Sequence, residues 1–253
     1  MIKVVLLGAG NVAVHLTKML LKSASIELVQ VYNRSIDKIA YLKNETAITT
    51  KIPELKEADI YIICVSDNAI SKVSKQLNFE GKLVVHTSGA TDLAVLKCNA
   101  NKGVLYPLQS FSKDKKVDFS EVPFCLEAEN SKDLELLQKI TNAIGSPSYK
   151  INSEQRKTLH VAAVFVNNFV NHLYQIGNEI CSKEHIPFEI LAPLIKETAL
   201  KIEDLTPFEA QTGPAKRNDT KTIETHLSLL TNNQQKIYTL LTQSIINLYG
   251  EKL

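Results

Sequence analysis

The 253-residue sequence predicts an α/β protein in two parts: a doubly wound, mostly parallel sheet over residues 1–151, then an all-α domain over residues 152–253. Three observations predict it. Short β-rich runs alternate with helical stretches through the first part, and several of these runs are continuously apolar, as strands are when helices cover both faces of a parallel sheet. The strand signal then vanishes near Ile151 to Ser153, and long helical patterns take over.

In chain order the strand candidates run from Ile2 to Leu7, Glu27 to Tyr32, Asp59 to Val65, Lys82 to His86 and Val104 to Tyr106, then Pro123 to Glu127 and Ser148 to Ile151. An amphipathic helical pattern, Val14 to Lys22, follows the first strand. The second part opens with a long predicted helix from about Glu154 to Ser182. Its stretch from Val161 to Val170 is apolar on nearly every face apart from two asparagines, so burial against sister helices or a second subunit is expected. Pro187 can begin the next helix, with Pro193 a kink inside it. Gly213-Pro214 marks a turn, and helices are expected near Thr220 to Leu230 and Asn233 to Tyr249.

Composition narrows the function classes. Twenty-nine basic residues face 27 acidic ones, too even a balance for nucleic-acid binding as the main activity. Gly8-Ala9-Gly10 interrupts the apolar start before a signal-peptide core of roughly 7–15 residues can form, and no window approaches the roughly 18 uninterrupted apolar residues of a membrane helix. A cytoplasmic protein with neither membrane nor nucleic-acid partner is expected. Cys64, Cys98, Cys125 and Cys181 form no Cys-x-x-Cys pair and none sits at zinc-ligand spacing from a histidine; they read as reduced, mostly buried residues, with no metal site.

The sharpest motif is Gly8-Ala9-Gly10-Asn11-Val12-Ala13, between a predicted strand and a predicted helix. In a dinucleotide-binding fold of the Rossmann type, Gly8 permits the tight turn and Gly10 lets the backbone approach the pyrophosphate. Ala13 still allows close helix packing, and the helix N-terminus offers N–H groups to the phosphates. The end of the second strand selects the dinucleotide. An NAD site would place a carboxylate there for the ribose 2′-hydroxyl, whereas this chain has Asn33-Arg34-Ser35, a set suited to a 2′-phosphate and hence to NADP(H). Structural alternatives are a solvated Arg34 and an N-capping Ser35. Val65-Ser66-Asp67 and His86-Thr87-Ser88-Gly89 follow later strands and should border the nicotinamide half, because ligands sit outside the carboxyl ends of strands in open α/β sheets. Asp67 is more simply a helix cap, and His86 serves equally well as a structural hydrogen-bonding group.

With these residues in view, the sequence resembles the Rossmann-like NADP oxidoreductases that carry a C-terminal helical domain of unknown function. It is more distantly similar to pyrroline-5-carboxylate reductases, ketopantoate reductases and β-hydroxyacid dehydrogenases. The resemblance spans nearly the whole chain: the glycine loop, Asn33-Arg34-Ser35, His86 to Gly89, Tyr106-Pro107-Leu108-Gln109-Ser110-Phe111, the helix from Leu159-His160 to Asn168, and Thr212 to Asp219 leading to His226. It implies an NADP-binding domain joined to a helical dimerisation domain, hence a homodimer, and supplies no substrate. Where such sequences commonly read Arg-Gly-Asp, this one has Arg217-Asn218-Asp219, and Asn tolerates left-handed backbone. Lys157 is followed four residues later by Val161, so the lysine–asparagine mechanism of β-hydroxyacid dehydrogenases does not transfer.

On the long predicted helix, His160, Val164, Asn168 and His172 recur every fourth residue and would share one stripe, with Lys157 a turn earlier. His160 suits a general acid, Asn168 an orienting amide, and Ser88 a hydroxyl that bonds the nicotinamide amide or the substrate. Gln109, Lys157 and Arg217 are candidate substrate contacts, Arg217 for a carboxylate or phosphate. His160 and Asn168 as satisfied buried polar groups, and Ser88 as a turn cap, are the structural alternatives. The expected function is NADP(H)-dependent reduction of the C=O or C=N of a small anionic metabolite. The alternative class is a non-catalytic NADP(H)-binding sensor, since dinucleotide folds serve both uses.

Overall fold

A computed structural model describes residues 1–250 of the chain, which form two compact units, Met1–Asn167 and a second from Asn168 onward.

In the first unit the described residues build one eight-stranded sheet in the order β3-β2-β1-β4-β5-β6-β7-β8. The strands are β1 (Ile2–Leu7), β2 (Ile26–Tyr32), β3 (Ala47–Thr49), β4 (Ile60–Ile63), β5 (Leu83–His86), β6 (Asn101–Pro107), β7 (Phe124–Ala128) and β8 (Ser148–Lys150). Every neighbouring pair is parallel except β6 and β7. Strand side chains alternate between faces, and β1 shows the result: Val4 and Leu6 join a core with α1 (Asn11–Lys22) and α3 (Ser131–Ala143), while Val5 and Leu7 join a core with α2 (Asp67–Ser74) on the other face. Burial on both sides explains the unbroken apolar runs. β3 was absent from the expectation; three residues at the sheet edge are too few to set up a periodicity. β6 begins earlier than expected, at Asn101, because its polar first residues pair with Leu83 and Val84 of β5 through the backbone alone.

The long predicted helix is not uniform. It comprises α4 (Ser153–Ala163), a π-helical segment (Val164–Phe169) and α5 (Val170–Lys183). Asn152 starts α4 with a capping box, its side chain accepting from the Gln155 N–H while Gln155 returns a bond to the Asn152 backbone. The i→i+5 bonding of the π segment widens the turn, so the 3.6-residue spacing that placed His160, Val164, Asn168 and His172 on one stripe does not hold through it. Nor is its apolar stretch buried within the chain: Val161 is 58% and Val166 74% exposed.

The second unit continues from α5 through α6 (Ala192–Asp204), the single-turn α7 (Pro207–Ala210), α8 (Thr220–Leu229) and α9 (Asn232–Tyr249). Pro193 lies in the first turn of α6, where its missing N–H costs nothing, and is not a kink. Asn218 takes the left-handed conformation (φ 51°), the geometry glycine would otherwise supply, and Asp219 caps α8 by accepting from the Thr222 N–H. The Tyr249 ring stacks on Phe208, and its hydroxyl donates to the Phe208 carbonyl at 2.9 Å. Among the described residues no helix is long and apolar enough to cross a membrane, and no cluster of metal-ligating side chains occurs. All four cysteines are unbridged; Cys181 is half-buried and the others buried.

Candidate functional site

The strand order reverses between β1 and β4, and the loops leaving these strands diverge to opposite sides of the sheet. A cleft of about 620 Å³ opens there, lined by the ends of β1, β2, β4, β5 and β6. Gly8, Ala9, Gly10, Asn11 and Val12 form its floor. Gly8 has φ 136°, and a Cβ on it would overlap the Cys64 carbonyl; only glycine lets the chain turn so close to β4. Gly10 differs. A Cβ there would meet nothing within 4 Å, so its side toward the cleft is open. Gly10 is also the N-cap of α1 and supplies no side-chain cap, which leaves the first N–H groups of the helix for a ligand. Ala13 is fully buried, its small side chain serving helix-to-sheet packing.

The lining carries three cations, Arg34, Lys38 and Lys72, with Asn33 next to the first in sequence. The Asn33 amide donates to the Ser35 carbonyl at 2.9 Å, shaping the turn that presents Arg34, while Ser35 itself is outside the lining. Lys38 and Lys72 escaped sequence reasoning, though a signal existed for the second: Ala69, Lys72, Val73 and Gln76 recur at i, i+3, i+4 and i+7, one helical face, and all four line the cleft. Val65, Ser66 and Asp67 line it too. The N-cap of α2 is Ser66, so Asp67 is the first helical residue and not the cap. Cys64 also borders the cleft, its thiol pushed up to about 12 by burial and hence protonated.

At the other end are Thr87, Ser88, Gln109 and Phe111. The loop carrying Phe111 is tied to the glycine-loop helix: the Asn11 amide donates to the Phe111 carbonyl at 2.9 Å, and His15 Nε2 lies 2.9 Å from the Ser112 carbonyl. The Ser88 hydroxyl donates to Thr91 Oγ1 at 2.8 Å and accepts from the Thr91 N–H at 3.0 Å, a turn that uses its hydrogen-bonding capacity locally. His86 was expected at the cofactor; it is instead fully buried at the end of β5 and lines none of the cleft. Its Nδ1 accepts from the Ser88 N–H at 3.1 Å, and burial, with the Arg156 guanidinium nearby, pushes it down to about 4, so it is neutral.

Behind Ser88 stands α4. Gly89 packs so tightly there that a Cβ would come within 2.5 Å of the Tyr106 ring and 2.7 Å of His160 Nδ1. His160 itself lies outside the lining, behind Ser88, and its Nδ1 and the Tyr106 hydroxyl are 3.2 Å apart. Arg156, one turn before His160, is entirely buried; it pairs with Glu127 of β7 and donates to the Thr91 carbonyl and to Ser153 Oγ. Tyr106 and Arg156 were not singled out from sequence as site residues, because their partners are distant along the chain. Lys157, expected at the substrate, is bonded to Asp92 at 3.2 Å and Glu154 at 2.8 Å, two carboxylates that more than neutralise it. Asn168 and Arg217 belong to the second unit, and the site described is built by the first alone.

A cleft at the switch point with a glycine floor, an open helix N-terminus and three lining cations is the dinucleotide site of an oxidoreductase-type Rossmann domain, and its residues fit a phosphorylated dinucleotide. Residues 3–89 match the family model described as NADP oxidoreductase, coenzyme F420-dependent, and residues 122–245 match a domain of unknown function, DUF2520. The solved structure of a putative NADP oxidoreductase from Bacteroides fragilis is 39% identical, covering 96% of this chain and 97% of that one, with a TM-score of 0.86. A Thermotoga maritima protein is 22% identical, with coverage of 98% and 99% and a TM-score of 0.75. The 1-pyrroline-5-carboxylate reductase of Streptococcus pyogenes shares the fold at 14% identity, with coverage of 98% of each chain and a TM-score of 0.66. No curated protein matches. The chain belongs to the NADP oxidoreductase family that joins these two domains, and it is an NADP-dependent oxidoreductase.

Proposed function

We propose that the protein reduces the C=O or C=N group of a small anionic metabolite at the Ser88 end of the cleft, with His160 donating a hydrogen bond to the substrate heteroatom. When bound, the cofactor supplies the hydride that the substrate carbon takes; the chain supplies position and the hydrogen bond that stabilises the charge growing on the heteroatom, which then takes its proton from water. Gly8 to Val12 would hold the pyrophosphate, and Arg34 with Lys38 and Lys72 the 2′-phosphate. The observation that carries the reading is the seat of His160, bonded to Tyr106 and pressed on Gly89, the residue after cleft-lining Ser88. Ser88, with its hydroxyl turned to Thr91, serves better as a wall than as an acid. A homodimer built on the helical unit is part of this proposal. It is supported by Leu173, Ile180, Ile190, Leu194 and Leu240, which that unit leaves exposed, while only Ala215 and Tyr249 are buried among its described residues.

The test is NADPH oxidation across keto acids and cyclic imines, each with and without a carboxylate. His160→Ala should lose about 10²-fold or more in turnover with NADPH affinity intact; undiminished turnover removes His160 from the mechanism. Equal rates for carboxylated and uncharged substrates would remove the anion preference. Arg34→Asp should weaken NADPH far more than NADH in parallel fluorescence titrations, and equal loss of both would sink the 2′-phosphate role.

A further inference from the structure

Tyr106 lies at the carboxyl end of β6 and shares its hydroxyl with one ring nitrogen of His160, Nδ1, at 3.2 Å. The rings meet edge to face, centroids 6.1 Å apart and planes at 70°. Gly89 closes over the bond, since any side chain there would strike both partners. α4 is anchored one turn back, where Arg156 pairs with Glu127 and donates to the Thr91 carbonyl, and at its start, where Ser153 donates to Glu127 and accepts from the Leu93 N–H. The contact is thus held by the Gly89 backbone and by the anchored α4.

We propose that Tyr106 is a positioning residue that fixes the tautomer of His160, donating its O–H to Nδ1 so that the neutral ring carries its proton on Nε2. The direction of the bond follows from chemistry. Between a phenol and a neutral imidazole, the phenol is the stronger donor and the bare sp² ring nitrogen the stronger acceptor, so O–H···N outcompetes N–H···O. Burial pushes the Tyr106 hydroxyl up to about 12, which keeps it protonated and makes it a fixed donor, not a proton relay. The second nitrogen of a ring has its role set by the bond at the first. His160 therefore offers one defined N–H, at Nε2. The inference deepens the proposed role of His160 and rests on it for its catalytic meaning, while the tautomer itself can be read without any substrate.

The experiment is a two-bond ¹H–¹⁵N correlation on the full chain labelled with ¹⁵N-histidine, at about pH 9, where ordinary imidazoles are neutral. The His160 signals are identified by their loss in His160→Gln. The expected result is a single Nε2–H tautomer with a hydrogen-bonded Nδ1 in the wild type, relaxing to a mixture of both tautomers in Tyr106→Phe, which keeps the ring over Gly89. An Nδ1–H tautomer in the wild type overturns the proposal, as does a tautomer that Tyr106→Phe leaves unchanged. Should Tyr106→Phe not fold, the wild-type spectrum alone decides. Turnover of His160→Ala tests the catalytic reading separately: a fixed Nε2–H tautomer with undiminished turnover would refute the mechanism and leave the tautomer assignment standing.

Discussion

Gly8 and Gly10 stand two residues apart and do different work. Gly8 is required by the fold, since its positive φ and the Cys64 carbonyl both refuse a side chain. Gly10 is in an extended conformation with open space beside it, so the chain would accept alanine there and a phosphate would not. Gly8→Ala should lower the melting temperature, whereas Gly10→Ala should melt as wild type and lose NADPH binding, as thermal unfolding with and without NADPH would report. Equal melting losses in both would refute the distinction. His86 gives a pH prediction. Its folded value is about 4 against about 6.5 unfolded, so between these values the unfolded chain binds more protons and stability falls as pH falls. The loss accumulates to about 2 kcal/mol by pH 5, above the range where most carboxylates protonate. Urea unfolding of His86→Asn, whose amide oxygen can still accept from the Ser88 N–H, should be flatter from pH 6.5 to 4.5; an unchanged slope would locate the acid sensitivity elsewhere.

At the scale of elements, α4 depends on a charge pair between the fully buried Arg156 and Glu127, whose carboxylate is 19% exposed. Removing one member of such a pair leaves the other buried and uncompensated, typically costing about 3–5 kcal/mol, while replacing both by apolar residues is often neutral. Arg156→Ala should therefore destabilise by about that amount, and Arg156→Met with Glu127→Leu should recover most of it, as denaturant midpoints would show. A mild single variant would mean that water reaches the pair. The same element marks where sequence reading succeeds and stops. The capping residues Asn152 and Gln155 and the start of α4 are local, so the helix and its first residue were legible to within one position. Its change into a π-helical segment is not encoded in apolar periodicity, and the expected histidine–asparagine stripe failed there. Strands buried on both faces announced themselves as apolar runs, and the three-residue edge strand β3 did not.

For the whole molecule, the two units differ in how they meet water. The first buries a core on each face of its sheet, whereas the helical unit keeps Leu194, Ile190 and Leu240 at 62%, 66% and 72% exposure. Isolated exposed leucines are ordinary, but an all-helical unit with almost nothing buried needs a covering surface, and in the proposed homodimer a second copy would supply it. Sedimentation should give a dimer for the wild type and a shift toward monomer for Leu194→Glu with Leu240→Glu; a monomeric wild type would refute the homodimer. The sequence by itself determined what is written locally: the parallel α/β unit from its apolar runs, the glycine loop and its helix, the Asn33-Arg34 turn that favours NADP, and the helical second part. The tertiary structure decided what depends on residues far apart in the chain. It brought Lys72 to the cleft that Arg34 also lines, committed Lys157 to two carboxylates, buried His86, and set Tyr106 against His160 across 54 positions. Side-chain pairing across the ends of a sheet follows from strand order and register, which no periodicity along the chain records.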